Sequence, residues 1–218
     1  MALQRLSARP AGLSGHSLAS RTYPRAVRVI SGTAKGARLG PVPAGVRPVA
    51  DRAREGLFSS LGDLVEGAVV LDLFAGTGAM GIEALSRGAA RAVFVERAPR
   101  AVAAIGGNLT RTRLGDRAEI VRSDVVRFLA VPPPGASAFD LVFLDPPYAT
   151  GPSEIASLFG LLGRSGVLAE GATVVLTRDS RDPIDVIPVD WPVAKRLTYG
   201  DSVLTLIRTG NPPRSTEV

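Results

Sequence analysis

Two short segments constrain this chain more than anything else in it. Val69-Val70-Leu71-Asp72-Leu73-Phe74 runs directly into Ala75-Gly76-Thr77-Gly78-Ala79-Met80-Gly81, and Leu141-Val142-Phe143-Leu144 runs into Asp145-Pro146-Pro147-Tyr148. Each is an apolar run that ends at an acid and a tight turn. Strands buried on both faces read this way, and they belong to parallel sheets whose loops open at the carboxyl edge. The glycines of the first loop allow close backbone approach to a ligand. The prolines of the second fix φ and remove two N–H donors.

Around these segments the chain alternates. Strands are predicted at 69–74, 92–96, 118–122, 140–145 and 172–177, with helices at 79–87, from Pro99, at 124–130 and at 153–163 between them. Ser123 or Asp124 is the expected cap of the third of these helices. Ala194–Tyr199 and Ser202–Ile207 flank Gly200-Asp201 and read as an antiparallel hairpin. The fold class is therefore α/β, Rossmann-like, with a mostly parallel seven-stranded sheet closed by a C-terminal antiparallel hairpin. Ahead of it, Val27–Ile30 and Ala37–Leu39 predict a small β-ribbon. Asp51 is a plausible N-cap for a helix through about Leu61.

Composition narrows the chemistry. The 218 residues include no cysteine and one histidine, His16, in a polar N-terminal stretch. Disulfides and thiolate metal sites are excluded, no metal is expected, and catalysis must rest on carboxylates, backbone groups and aromatics. No apolar run approaches the ~20 residues that span a bilayer, so no membrane association is expected. Residues 1–55 hold ten Lys and Arg against two acids, whereas the remainder holds sixteen against eighteen. A basic excess confined to one end suggests a polyanionic partner, and Arg28, Lys35, Arg38, Arg47, Arg52 and Arg54 are the candidate RNA contacts. Asp51 and Glu55 are close enough in sequence to pair with Arg52 or Arg54, which would make those two arginines partly structural. Residues 1–25 carry no sustained periodicity and read as disordered; an acid-poor leader of this kind also suits a transit peptide, although its helical apolar face is poor.

Gly76-Thr77-Gly78-Ala79-Met80-Gly81 also fits the dinucleotide pattern G-x-G-x-x-G, with Glu96 twenty residues beyond Gly76. Asp72 separates the two readings. A pyrophosphate needs the helix N-terminus clear of negative charge, whereas S-adenosylmethionine carries an ammonium and a sulfonium that suit a carboxylate. Glu96, at the end of the second strand, is placed to accept hydrogen bonds from ribose hydroxyls. Asp124 is placed to accept from the adenine amine, to cap its helix, or both. Thr77, Arg97 and Val125 border these positions and join the candidate cofactor set. Phe74 joins it too, although it and Met80 read first as core.

The second loop suits methylation of a base amine. The lone pair of such an amine is delocalised into the ring, so acceptors must hold its protons while the nitrogen turns toward the methyl group. Asp145 offers a carboxylate and Pro146 a carbonyl, with Pro147 stiffening the turn. Tyr148 can stack on a base that has left its helix. Catalysis of this kind is mostly positioning and electrostatics.

At this point the chain resembles the RsmD-type 16S rRNA guanine-N2 methyltransferases, over most of residues 27–208. The resemblance rests on Arg28-Val29-Ile30-Ser31-Gly32 with Lys35-Gly36, and on Arg47-Pro48 followed by Asp51-Arg52-Ala53-Arg54-Glu55 and Leu57-Phe58. It continues through Asp72 to Gly81, Glu83-Ala84-Leu85-Ser86-Arg87, Glu96, Asn108, and Asp145 to Tyr148. It implies a class I methyltransferase that uses S-adenosyl-L-methionine. Asp72, Gly76, Gly78, Glu96 and Asp124 would contact the cofactor, and Asp145, Pro146 and Tyr148 the guanine. It also implies a cytoplasmic monomer acting on 16S rRNA in an assembling or assembled 30S subunit. Val49 stands where a threonine is common, and Arg97 where a second acid is common. The expected organisation is a disordered basic leader (1–26), an RNA-engaging ribbon and helix (27–66), the methyltransferase domain (67–210) and a tail (211–218). An adenine-N6 methyltransferase of DNA or RNA is the alternative within the class, though it would usually bring a larger recognition domain. A non-catalytic RNA-binding protein of the same fold is the alternative outside it.

Overall fold

The computed structural model describes residues 27–40, 49–136, 138–147, 149–181 and 186–210. The expectations for the leader 1–26, the tail 211–218, Arg47 and Tyr148 lie outside the described residues. Helix α1 (Asp51–Leu61) precedes β1 (Val69–Leu73), α2 (Ala79–Ser86), β2 (Arg91–Glu96), α3 (Pro99–Thr112), β3 (Ala118–Arg122) and α4 (Val125–Ala130). Then follow β4 (Phe139–Leu144), α5 (Pro152–Arg164), β5 (Leu168–Asp179), β6 (Val193–Tyr199) and β7 (Ser202–Arg208).

The seven strands form one sheet in the order β3-β2-β1-β4-β5-β7-β6. β1 to β5 are mutually parallel where they pair, and β7 runs antiparallel to both β5 and β6. This is the expected mostly parallel layout with a terminal antiparallel hairpin. The order reverses at β1, which has β2 on one side and β4 on the other. Open α/β sheets bind ligands where the strand order reverses, which puts the crevice at the carboxyl ends of those three strands.

Strand alternation builds two cores. Val70, Phe94, Leu141, Phe143 and Val175 face one side with α1, α2 and the residues of the N-terminal ribbon. Leu71, Val93, Val142, Leu144, Val174 and Leu176 face the other, with α4 and α5. Phe58 of α1 packs its ring 5.7 Å from that of Phe143, which ties the N-terminal segment into the first core.

Two local expectations differ from what is observed. The N-cap of α1 is Ala50, without a side-chain bond, and Asp51 is the first helical residue. Its carboxylate is drawn away to Arg54 at 2.7 Å and Arg28 at 3.2 Å, because two charge-assisted bonds outcompete one cap. β1 ends at Leu73, since Phe74 has φ 60° and leaves the extended region. The expected ribbon forms as a short antiparallel pair, bridged at Arg28 and Arg38 and bonded across by Val29 N–H to Ala37, Gly36 N–H to Val29 and Leu39 N–H to Val27, while the N–H groups of Ile30, Ser31, Thr33 and Ala34 turn to α2.

Candidate active site

The glycine loop leaves β1 through a run of left-handed residues. Phe74, Gly76 and Gly78 all have positive φ, and Gly78 is the N-cap of α2. At Gly81, one turn into that helix, an added Cβ would lie 2.4 Å from the Phe94 ring. The small residue lets α2 lie directly on β2 and brings its N-terminus to the crevice.

Acids from two neighbouring strands pin this loop. Glu96 accepts from Gly76 N–H at 3.0 Å through Oε2 and from Ala98 N–H at 2.8 Å through Oε1. Asp72 is buried and accepts from Gly81 N–H at 2.9 Å. Burial holds its carboxyl well above the ordinary value of 3.8, and the nearby charges of Asp145 and Glu96 add to that rise against the opposing Gly81 bond. Three carboxylates thus crowd one edge, an environment that favours a cationic ligand and disfavours a phosphate.

At the neighbouring strand end, Asp124 caps α4, accepting from Val126 N–H at 2.9 Å, and lies 3.5 Å from Arg97. The capping reading of Asp124 is therefore realised, with the second oxygen turned to solvent-exposed Arg97. Val125 and Thr77 are buried behind the crevice wall, and Phe74 is half-buried against the α4 and α5 core.

β4 delivers the second loop beside the first. Asp145 is half-buried, and its N–H reaches the Leu73 carbonyl at 3.5 Å, so the two loops leave adjacent strand ends together. Pro146 is buried and Pro147 exposed. Thr150 N–H donates to the Pro147 carbonyl at 2.9 Å, and α5 begins at Pro152.

The basic candidates divide. Lys35 and Arg38 are exposed on the ribbon, Arg52 is exposed on α1, and Arg28 is exposed but paired with Asp51. Arg54 contradicts its expected RNA role. Its side chain is 0% exposed, donating to the Arg28 carbonyl at 2.6 Å and to Asp51 at 2.7 Å, with Glu83 at 3.8 Å. It locks α1 to the ribbon and cannot reach a phosphate.

Several organising residues were not assigned roles from the sequence. Buried Glu83 of α2 accepts from Ile30 N–H, Ser31 N–H and Arg87. Ser86 takes the Ala34 N–H and donates to the Ser31 carbonyl. Buried Asn108 of α3 bridges the Thr77 carbonyl and the Gly40 N–H. Arg178 of β5 holds the Asp145 loop from below. A polar residue interrupting an apolar periodicity is the signal all of them carry.

No helix among the described residues is long and apolar enough to cross a membrane, and none of their acids and histidines group as a metal site. The sequence profile of the family described as Conserved hypothetical protein 95 matches residues 27–208. The Ribosomal RNA small subunit methyltransferase D of Escherichia coli strain K12 is 35% identical over 176 residues, covering 80% of this chain and 85% of that protein. Its Haemophilus influenzae counterpart is 33% identical, covering 80% and 89%. Among solved structures, the Escherichia coli protein yhhF superposes with a TM-score of 0.75 at 32% identity, covering 85% of this chain and 98% of that one. With its class I methyltransferase sheet and a profile match spanning ribbon to hairpin, the chain belongs to the Conserved hypothetical protein 95 family, the RsmD-type proteins its sequence resembles.

Proposed function

We propose that this protein transfers the methyl group of S-adenosyl-L-methionine to the exocyclic N2 amine of a guanine in 16S rRNA. The observation that carries this reading is the meeting of the glycine loop, its three carboxylates and the Asp145-Pro146 turn at one sheet edge. The relatives named as small-subunit rRNA methyltransferases support the substrate class.

S-adenosylmethionine, when bound, supplies an electrophilic methyl group on a positively charged sulfur. The residues of the chain do the rest. Glu96 keeps the loop backbone fixed and offers its remaining lone pairs to ribose hydroxyls. Asp72, Glu96 and Asp145 create a negative field that favours the cation. Asp145 and the Pro146 carbonyl accept hydrogen bonds from the two amine N–H groups, which directs the nitrogen lone pair at the methyl group and stabilises charge that develops there; as the methyl–sulfur bond breaks and the methyl–nitrogen bond forms, the proton that nitrogen must lose passes to Asp145. Pro146 and Pro147 bring no N–H to compete. Tyr148 supplies a stacking face for the extruded base.

The exposed cations Lys35, Arg38, Arg52 and Arg28 lie on the 27–66 segment, which we assign to RNA engagement together with Arg47. The substrate is rRNA alone or within the small subunit, in the cytoplasm, with the protein acting as a monomer. Nucleoside mass spectrometry of 16S rRNA from a deletion strain tests the reading. One N2-methylguanosine should disappear and return with the wild-type gene, but not with Asp145→Asn. Loss of an N6-methyladenosine instead would move the assignment to adenine.

A further inference from the structure

Arg178 lies on β5, two residues beyond Leu176, the last residue of that strand paired with β4. It shares a face with Leu176, the face that α5 covers. Its neighbours Val174 to Thr177 are all buried, and so is Arg178, at 3% exposure. If that position served packing alone, an apolar side chain of similar volume would fill it without desolvating a charge.

The guanidinium has a definite use. Nη2 donates to the Thr150 carbonyl at 2.8 Å and Nη1 reaches the Pro147 carbonyl at 3.4 Å. Those two carbonyls bracket the second half of the Asp145 loop, between the proline pair and the start of α5. Only the Thr150 to Pro147 backbone bond otherwise joins them among the described residues. The planar fork of an arginine can span two acceptors at a fixed separation, which one ammonium cannot do.

We propose that Arg178 is a positioning residue for methyl transfer. It holds the loop that carries Asp145 and Pro146 at the distance and angle at which the target amine meets the methyl group. The proposal rests on the reading of that loop as the base-receiving site. It assigns Arg178 no contact with base or cofactor; its effect passes through the loop it holds.

The test is single-turnover methylation of small-subunit rRNA by Arg178→Met, Arg178→Lys and wild type, with calorimetric titration of S-adenosylhomocysteine. A misplacement of about 1 Å costs up to about 100-fold in rate, so Arg178→Met should slow the step about tenfold or more. Affinity for S-adenosylhomocysteine and half-saturation by RNA should stay within about threefold, and Arg178→Lys should fall between Arg178→Met and wild type. A wild-type rate in Arg178→Met overturns the proposal, as does a rate loss matched by an equal loss of S-adenosylhomocysteine affinity. Should Arg178→Met not fold, Arg178→Lys decides: a threefold or greater slowing at unchanged affinity supports the proposal, and an unchanged rate overturns it. Asp145→Asn, run alongside, separates the two ideas. Full activity in Asp145→Asn refutes the loop assignment itself, whereas an inactive Asp145→Asn with wild-type Arg178 variants refutes only the positioning role.

Discussion

Replacing Asn108 by aspartate isolates one hydrogen of one side chain. Asn108 is fully buried. Its Nδ2 donates to the Thr77 carbonyl at 2.9 Å, and its Oδ1 accepts from Gly40 N–H at 2.7 Å and from Arg111 at 3.1 Å. Asn108→Asp keeps the shape and the acceptor but takes away the donor. The new carboxyl can ionise, leaving the Thr77 carbonyl facing negative charge, or stay protonated and donate. Staying protonated costs ~1.4 kcal/mol for each pH unit above an ordinary pKa of ~3.9, or about 4 kcal/mol at pH 7, which sets a ceiling. An unsatisfied buried carbonyl costs about 1–3 kcal/mol, which sets the floor. Arg111 favours the ionised form and pulls the result toward the floor. The loss at pH 7 is therefore about 1–4 kcal/mol, a large share of the ~5–15 kcal/mol that holds a typical domain together. The folded pKa lies above the unfolded one, so the penalty is small near pH 4 and grows as pH rises through the folded value. Urea unfolding of wild type and variant should show the gap narrowing from pH 7 to pH 5, by a few tenths of a kcal/mol if the loss sits at the floor and by up to about 2.5 kcal/mol at the ceiling. Asn108→Ala should show a gap that does not change with pH. A gap in Asn108→Asp below about 0.5 kcal/mol at pH 7 would refute the claim that the Thr77 carbonyl depends on this donor.

Three further outcomes are expected. Burial and the charges of Asp145 and Glu96 raise the Asp72 carboxyl well above 3.8, so the cofactor-free protein should lose stability as pH rises from that ordinary value through the folded one. Asp72→Asn should remove this part of the pH slope in urea midpoints, and parallel wild-type and variant profiles would contradict it. Gly32 has φ +81° and an added Cβ would lie 1.8 Å from the Ser86 carbonyl oxygen, so Gly32→Ala should push the ribbon off α2 at a cost of about 1–3 kcal/mol, read as a drop in thermal midpoint. Removing the charges of Lys35 and Arg38 together should flatten the salt dependence of rRNA binding by about 1.4–1.8 in the log–log slope while leaving S-adenosylhomocysteine affinity unchanged. An unaltered slope would place recognition elsewhere.

Most of the architecture was legible because each strand is an apolar run bounded by turn chemistry, and each helix starts or stops at a residue with a local reason to do so. Asp124 capping α4, Pro99 at the start of α3 and Gly200-Asp201 turning the hairpin are settled within a few residues of chain. The crevice was legible for a similar reason: its residues sit at strand ends, where the pattern breaks. What the sequence did not disclose is long-range. Arg54 lies in a basic stretch, and charge counting alone sends it to solvent. Its pairing with Asp51, three residues away, was legible, but its burial also needs the Arg28 carbonyl and Glu83, from two distant parts of the chain. Glu83 reads as an ordinary helical acid until the ribbon's two N–H groups arrive, fifty-odd residues away in sequence.

The same distinction explains how the two charged regions of the molecule coexist. A cluster of carboxylates at the crevice would repel a nucleic acid brought to it directly, at any distance inside a Debye length of about 8–10 Å. The ribbon carries the opposite sign at exposed Arg28, Lys35 and Arg38, and is held to the fold by neutral and buried groups: Ser86, Asn108 and the backbone of residues 30–40. Glu83 and Arg54, the charged pair at that junction, are both fully buried, so neither contributes an exposed charge to the surface that RNA would meet. The attachment is therefore insensitive to salt while the exposed cations it carries are not. Raising ionic strength should weaken RNA binding long before it loosens the ribbon, and the protein's unfolding midpoint should stay nearly constant over the salt range in which RNA affinity collapses. A midpoint that fell in step with RNA affinity would mean that surface ion pairs such as Arg28 with Asp51, and not the buried network, hold the segment in place.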